Sequence, residues 1–430
     1  MIKRPFLGIR KPRLNYTVVP DEVQELKVPE SVTLLMKDED AKADGAIEVG
    51  ARVKTGQRLS KSAESAAYMI SPVTGTISRI FPYAGTFGHV YPYAGKYEAT
   101  YTAITIDAEE KDEWDDEYKG EATLDAALRF FECLPGSPSF KAFVDPNPPV
   151  RMIVICGQDP DLLLTANQAV MQNDLPAVKS GVKALKEMTG VDRILFTVPE
   201  GMVQQAISTG AEAKAVRTEY PAGLPHMIMK DVVGTVVPEG NSPEDVGAVF
   251  MSAEAVAALG TSVETGRLCV TKMVTVVRKG GKATNFRVRI GTPLHVLLRT
   301  CGITVKDRDR LILGGPMMGM TTYSDQLPVE PHTDGLVVQD KAESPILADH
   351  GCINCGECVR ICPVNIPVNM LIRFLEANLY EDARDMYDLA CCIECGLCSY
   401  VCTSRIPIFQ YIQLAKHELS LTDAAEAENE

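Results

Sequence analysis

The stretch that decides the fold lies toward the C-terminal end and occurs twice. One copy is Cys352-Ile353-Asn354-Cys355-Gly356-Glu357-Cys358-Val359-Arg360-Ile361-Cys362-Pro363. The other is Cys392-Ile393-Glu394-Cys395-Gly396-Leu397-Cys398-Ser399-Tyr400-Val401-Cys402-Thr403. Both read C-x2-C-x2-C-x3-C. Three thiols at that spacing can wrap one tight loop, while the fourth opens a segment pointing away. Gly356 and Gly396 stand between the second and third cysteines, where the backbone must bend closely around whatever the sulfurs hold. Pro363 stops the chain after the first copy, and Thr403 takes its place in the second.

This is the bacterial ferredoxin spacing, in which the fourth cysteine of each run serves the neighbouring cluster. It assigns Cys352, Cys355, Cys358 and Cys402 to a first 4Fe-4S cluster. Cys392, Cys395, Cys398 and Cys362 form the ligand set of a second. Zinc favours two separated CxxC pairs, and a third cysteine at x2 with a fourth at x3, repeated, is not that pattern. Nine of the 13 cysteines crowd between Cys352 and Cys402 in a long chain, which points to metal rather than disulfides and to a reducing compartment. Cys133, Cys156, Cys269 and Cys301 read as core residues. Cys156 is kept open as functional because it ends a strand. Cys391 corresponds to Gly351 of the first copy and reads as a free thiol. The six histidines (His89, His226, His295, His332, His350, His417) show no paired metal spacing. His350, just before the first run, reads as a surface residue.

Working outward, the chain reads as an α/β multidomain protein. The last segment, 343–418, is an all-α dicluster ferredoxin domain, with helices around Val368–Leu379 and Glu381–Met386. The tail after Leu421 is expected to be disordered. Residues 261–330 pair a hairpin (Met273–Arg278, a Gly280-Gly281 turn, Phe286–Ile290) with a helix at Pro293–Thr300 and a strand at Leu311–Leu313, a β-grasp (SLBB-like) module. Residues 120–260 alternate strands (Arg151–Cys156, Arg193–Val198, Ala213–Thr218) with helices (Leu162–Gln172, Pro176–Thr189, Met202–Ser208). That alternation marks a Rossmann-like α/β domain with a mainly parallel sheet. Residues 28–107 set β-branched residues beside glycine turns, in 49–57 and again in 71–77. These two pieces resemble the barrel-sandwich hybrid of biotinyl and lipoyl carriers, without the modified lysine between them. The acidic run 107–117 reads as a solvated linker or exposed face.

The net charge of −14 argues against a nucleic-acid partner, since phosphate binding needs a basic face. No run approaches the roughly 18 to 20 apolar residues of a membrane span. The basic start is not a secretory signal, and no lipidation signal stands out. Any membrane association is therefore expected to be peripheral and through partners.

With these residues in view, the chain resembles the C subunit of the Rnf ion-translocating electron transport complex. Besides the cysteine runs, the resemblance rests on Asn285–Pro293, on Gly314-Gly315-Pro316-Met317-Met318-Gly319, and on Cys392–Lys416 with Ile406-Pro407. It implies a peripheral electron-transfer subunit on the cytoplasmic side of the membrane, whose partners are other subunits of the redox complex. The family's α/β domain binds FMN and NADH through a glycine-rich loop. Here that place reads Leu134-Pro135-Gly136-Ser137-Pro138-Ser139-Phe140-Lys141, with one glycine and two prolines that lack amide donors. Asp159 and Asp161 stand where the family carries glutamates. The site is read as degenerate. The domain then becomes a scaffold, or a dock for a cytochrome or ferredoxin-like donor or acceptor, and NADH oxidation by this chain is in doubt. The alternative reading is a soluble FMN/NAD(P)H-dependent iron–sulfur reductase of corrinoid-reductase type. The Gly314–Gly319 segment reads as a structural turn rather than a phosphate loop.

Overall fold

The computed structural model describes residues 12–17, 22–37, 47–60, 68–84, 100–144, 147–343 and 350–427. His89 and part of the expected 28–107 module lie outside them.

Short strand β1 (Val23–Glu25) leads into β2 (Ser31–Lys37), whose buried Val32, Leu34 and Met36 alternate with less buried neighbours. Strands β3 (Arg52–Val53), β6 (Gly75–Ala84) and β7 (Thr100–Ala108) join β2 in a sheet of order β2-β7-β6-β3. β4 (Arg58–Ser60) and β5 (Tyr68–Ile70) form a separate hairpin layer. The two glycine-bearing pieces meet, with Arg52 opposite Thr76 and Val53 opposite Gly75. A Cβ on Gly75 would run into the Asp107 carbonyl, so only glycine allows that approach. The acidic run is less free than its composition suggests. Arg52 binds Glu109 at 2.9 Å and Glu113 at 2.8 Å, while Asp112 pairs with Arg289 and accepts from Thr55 Oγ1 at 2.6 Å. Each of these carboxylates found a cation or hydroxyl across the fold, which composition cannot reveal.

Strands β8 (Met152–Cys156), β9 (Ile194–Val198), β10 (Glu212–Ala215) and β11 (Ala248–Ser252) make a fully parallel sheet of order β10-β9-β8-β11. β8 is apolar on both faces because both are covered. Ile153 and Ile155 pack under the Ala166–Asn173, Leu175–Thr189 and Ala253–Thr265 helices, and Met152 and Val154 face Ile228 and Met229. The first helix starts at Ala166, later than the expected Leu162, because Asp159–Thr165 form a hydrogen-bonded loop. The expected third strand stops at Ala215 rather than reaching Thr218.

Strands β12 (Thr271–Val277) and β13 (Ala283–Arg289) form the expected hairpin around Gly280 and Gly281, both at φ +82°. With β14 (Arg310–Leu313), β15 (Met320–Thr322) and β16 (Gly335–Gln339) they build a six-stranded sheet of order β1-β13-β12-β16-β14-β15. Both β1 and β16 lie outside 261–330. They join by hydrogen bonding to strands far away in sequence, a pairing that local pattern does not carry.

The C-terminal segment is helical: Glu357–Ile361, Val368–Glu376, Tyr380–Tyr387, Leu397–Tyr400 and Ile408–Ala427. The last helix corrects the expectation of a disordered tail. The alanines and glutamates there are good helix formers and extend the preceding helix through Ala427.

The Leu175–Thr189 and Ala253–Thr265 helices cross through Gly181 and Gly260. A Cβ on Gly260 would overlap the Ala177 carbonyl, and one on Gly181 the Val256 carbonyl. Gly260→Ala is expected to lower unfolding stability by about 1–3 kcal/mol in urea titrations. Gly201→Ala, with open space around it, should leave the midpoint within about 0.5 kcal/mol of wild type.

Candidate metal centre

Both cysteine loops turn on the same backbone device. Asn354 (φ +58°) and Gly356 (φ +75°) are left-handed in the first loop, and Glu394 (φ +53°) and Gly396 (φ +70°) in the second. Asn365 (φ +62°) and Arg405 (φ +54°) repeat the match three residues beyond the fourth cysteines. Such turns fold backbone N–H groups inward, forming a concavity suited to anions. The N–H groups of Glu394, Leu397 and Ser399 lie toward the sulfurs of Cys392, Cys395 and Cys398 and favour their charged form, as that of Val359 does for Cys358.

The fold brings together the sets that the spacing implied. Cys352, Cys355, Cys358 and Cys402 line one small cavity with Thr403. Cys362 is near enough to Cys392 and Cys395 to act on them electrostatically, and both of these act on Cys398. Cys358 also acts electrostatically on Cys398, so the two sets are neighbours. Thr403, where the first copy has proline, sets its hydroxyl 3.5 Å from Cys355 Sγ. The Ile406 N–H points at Cys402 Sγ at 3.4 Å.

The loops differ in burial. Ile353 in the first is 68% exposed, whereas its counterpart Ile393 is 6% exposed. In the inner loop, Lys416 Nζ donates to the Cys392 carbonyl and the Glu394 carboxylate, both at 2.7 Å. Tyr220 Oη donates to the Cys395 carbonyl at 2.7 Å. In the outer loop, Asn369 reaches Asn354 at 2.7 Å, and Arg360 binds the Cys355 carbonyl at 3.0 Å and Glu357. Tyr220, Lys416 and Arg360 carry no sequence signal of their own, since each is recognised only by what it touches.

Burial, and then neighbouring sulfurs, push the thiols of Cys358 and Cys392 up to about 11 and that of Cys395 to about 12. Thiolates are costly in such surroundings unless a cation compensates them. A donor set of eight sulfurs with aimed amides fits anionic iron–sulfur centres.

The α/β sheet and the β12–β16 sheet enclose a second feature, a cavity of about 370 Å³ lined by Gly136, Cys156, Asp161, Met318, Glu330 and Asp334 among others. Among the described residues four carboxylates line it (Asp161, Glu244, Glu330, Asp334), and no lysine or arginine does. The Gly136 N–H is taken by the Pro331 carbonyl at 2.7 Å. Asp159 accepts from the Asn167 N–H at 2.9 Å and from Gln168, so it caps a helix. Asp161 accepts from the Met318 N–H at 2.8 Å and the Met317 N–H at 3.2 Å. The Met317 and Met318 amides thus hold a carboxylate of this chain, as a structural turn would. Burial raises Asp159 and Asp161 to about 6. Behind the cavity, Lys272 is fully buried between Glu254 and Asp334. Burial would lower the Lys272 pKa, yet Asp334 and Glu254 hold it above its ordinary value. The thiol of Cys156 is pushed up to about 12 by burial, which makes it an inert wall residue. Cys391 is half-buried beside Glu239 and Asp388, and His350 is exposed.

The chain is similar to several known proteins. Residues 7–105 match the model of the RnfC barrel sandwich hybrid domain. The C subunit of the proton-translocating ferredoxin:NAD(+) oxidoreductase complex of Clostridium ljungdahlii is 30% identical over 66% of this chain and 65% of its own length. The C subunit of the ion-translocating oxidoreductase complex of Klebsiella pneumoniae is 25% identical over 87% of this chain and 52% of its own. A chain of an NAD+-reducing NiFe-hydrogenase in the H2-reduced state overlaps with a TM-score of 0.45 at 14% identity, covering 68% of this chain and 62% of that one, too loosely to support any argument. The chain is RnfC-like, and it spans from 43% to 65% of the length of these curated relatives.

Glu330 beside the cavity gives this region a pH signature. Burial raises its pKa from 4.5 to about 7. Between those values the folded chain binds more protons than the unfolded one, so stability falls as pH rises from about 4.5 to about 7 and levels off above. Glu330→Gln should remove up to on the order of 3 kcal/mol of that decline, measured by urea unfolding at pH 5 and pH 8. An identical decline in the variant would contradict the assignment.

Proposed function

We propose that this RnfC-like chain is the peripheral electron-transfer subunit of a membrane-bound, ion-translocating oxidoreductase complex. The observation that carries the reading is the exchange of fourth cysteines, with Cys402 beside the Cys352–Cys358 loop and Cys362 beside the Cys392–Cys398 loop. Two 4Fe-4S clusters held there would supply one-electron transfer. The chain's own residues orient and insulate them. Cys392, Cys395, Cys398 and Cys362 hold the inner site, walled by Ile393, Leu397, Met318 and Tyr220, which keep water away. Cys352, Cys355, Cys358 and Cys402 hold the outer site near the surface, where exposed Ile353 leaves room for a redox partner to approach. The aimed N–H groups stabilise negative charge on the sulfurs.

Partners in this reading are other subunits of the complex, with a cytochrome or ferredoxin-like protein as donor or acceptor. No helix among the described residues is long and apolar enough to cross a membrane. Attachment at the cytoplasmic face through those partners follows from the reading.

The relatives' names speak of ferredoxin:NAD(+) oxidoreductase complexes. The cavity of this chain does not fit a phosphate-bearing flavin or nicotinamide. A phosphate needs free amides or cations. Here Pro135 and Pro138 lack amides, the Gly136 amide is engaged, and four carboxylates would face the anion. The soluble FMN/NAD(P)H-dependent reductase is therefore the weaker reading.

Anaerobically purified chain should carry about eight iron atoms. Cys355→Ala should retain about half of them while its urea midpoint changes little, and FMN should not co-elute on gel filtration. Full iron in Cys355→Ala would sink the ligand assignment, and flavin near one per chain would restore the reductase.

A further inference from the structure

We propose that Asp161 is a positioning residue for the inner cysteine loop, holding it through the Met317–Met318 backbone and lowering the reduction potential of the centre that loop carries. The inference rests on the cluster reading above and adds a specific lever to it.

Asp161 is 2% exposed. Its carboxylate accepts from the N–H groups of Met317, Met318 and Leu162. Gly315 packs directly on the same side chain, and a Cβ there would overlap it. The segment so anchored presses its other side on the inner loop. A Cβ on Gly396 would lie 2.5 Å from the Met317 carbonyl oxygen. The carboxylate, the Met317 peptide and the Cys395–Gly396 turn therefore form one stack of direct contacts. Displacing the first displaces the last, because close-packed interiors transmit shifts rather than absorb them.

A second set of contacts closes the same space. Tyr220 donates to the Cys395 carbonyl, and its ring meets that of Tyr16 edge-on at 5.8 Å. Tyr16 Oη accepts the Gly223 N–H at 2.9 Å. Asp161 and Cys395 both act electrostatically on both tyrosines, and Tyr16, Tyr220, Met318 and Cys395 belong to one buried cluster.

Among the described residues no lysine or arginine forms a salt bridge with Asp161, whereas Lys416 on the other flank already pairs with Glu394. A buried carboxylate held only by amides keeps its charge effective over short distances in a low-dielectric setting. An added electron is disfavoured beside it. The outer loop has no such device among the described residues, because a Cβ on Gly356 would meet only the Arg360 guanidinium, at 3.4 Å on a side chain that can move aside.

The test is potentiometric titration of the full chain followed by electron paramagnetic resonance, with the inner signal identified as the one lost in Cys395→Ala. Asp161→Asn is expected to keep its iron, shift the inner midpoint upward and leave the outer one unmoved. Two unmoved midpoints, or two that shift together, overturn the proposal. Gly396→Ala and Gly356→Ala share the strain of a left-handed alanine, but only the first also meets the Met317 carbonyl. Gly396→Ala should alter the inner line shape, and Gly356→Ala should spare it. If Asp161→Asn loses its iron, an unaltered inner spectrum in Gly396→Ala overturns the proposal by itself. Wild-type chain without iron would instead overturn the cluster reading, a failure visible before any variant is made.

Discussion

In the cluster reading proposed above, each cysteine loop is one sulfur short. Three thiols of each run share a turn, and the fourth points away from it, so neither set is complete until the Cys352 and Cys392 segments lie side by side. That constraint organises the C-terminal region. The Val368–Glu376 and Tyr380–Tyr387 helices carry the chain out and back, and Ile366, Leu371, Ile372 and Leu375 pack on Ile406, Ile408 and Ile412 to hold the two runs together. The left-handed residues at matching positions are the local cost of two sharp turns. Glycine meets it at one position of each loop, and asparagine or a lysine-paired glutamate meets it at the other.

The inner loop is where the separate sheets of the molecule converge. Tyr220 follows the parallel sheet, Met317 and Met318 come from the turn between β14 and β15, and Lys416 comes from the last helix. Buried polar groups hold this junction, each with partners of its own. Asp159 caps a helix, Asp161 grips backbone amides, and Lys272 links Glu254 to Asp334. Such groups add less net stability than specificity of arrangement, since each tolerates only one geometry of its neighbours. The carboxylates around the large cavity have a chemical consequence as well. They make it inhospitable to phosphate at the place where the resemblance leads one to look for it.

Much of the architecture was legible locally. MIVIC and ILFTV announce strands buried on both faces, and two glycines between β-branched runs announce a hairpin. Pairing between distant segments was not legible. β1 and β16 complete the six-stranded sheet from outside the expected 261–330 segment. The acidic run looked like solvated chain because the cations that pair with it, Arg52 and Arg289, are far away in sequence. The tail looked disordered by composition, yet it continues a helix already begun at Ile408.

By itself the sequence determined the sulfur count and the loop spacing, and C-x2-C-x2-C-x3-C written twice raised the expectation that the fourth cysteine of each run serves the other. It also determined the loss of amide donors at Pro135 and Pro138. Only the tertiary structure decided which loop is buried, what presses on Gly396, and that Asp161 meets the Met317 and Met318 amides. Those outcomes depend on side chains from separate sheets sharing one volume, and packing across such distances leaves no local trace.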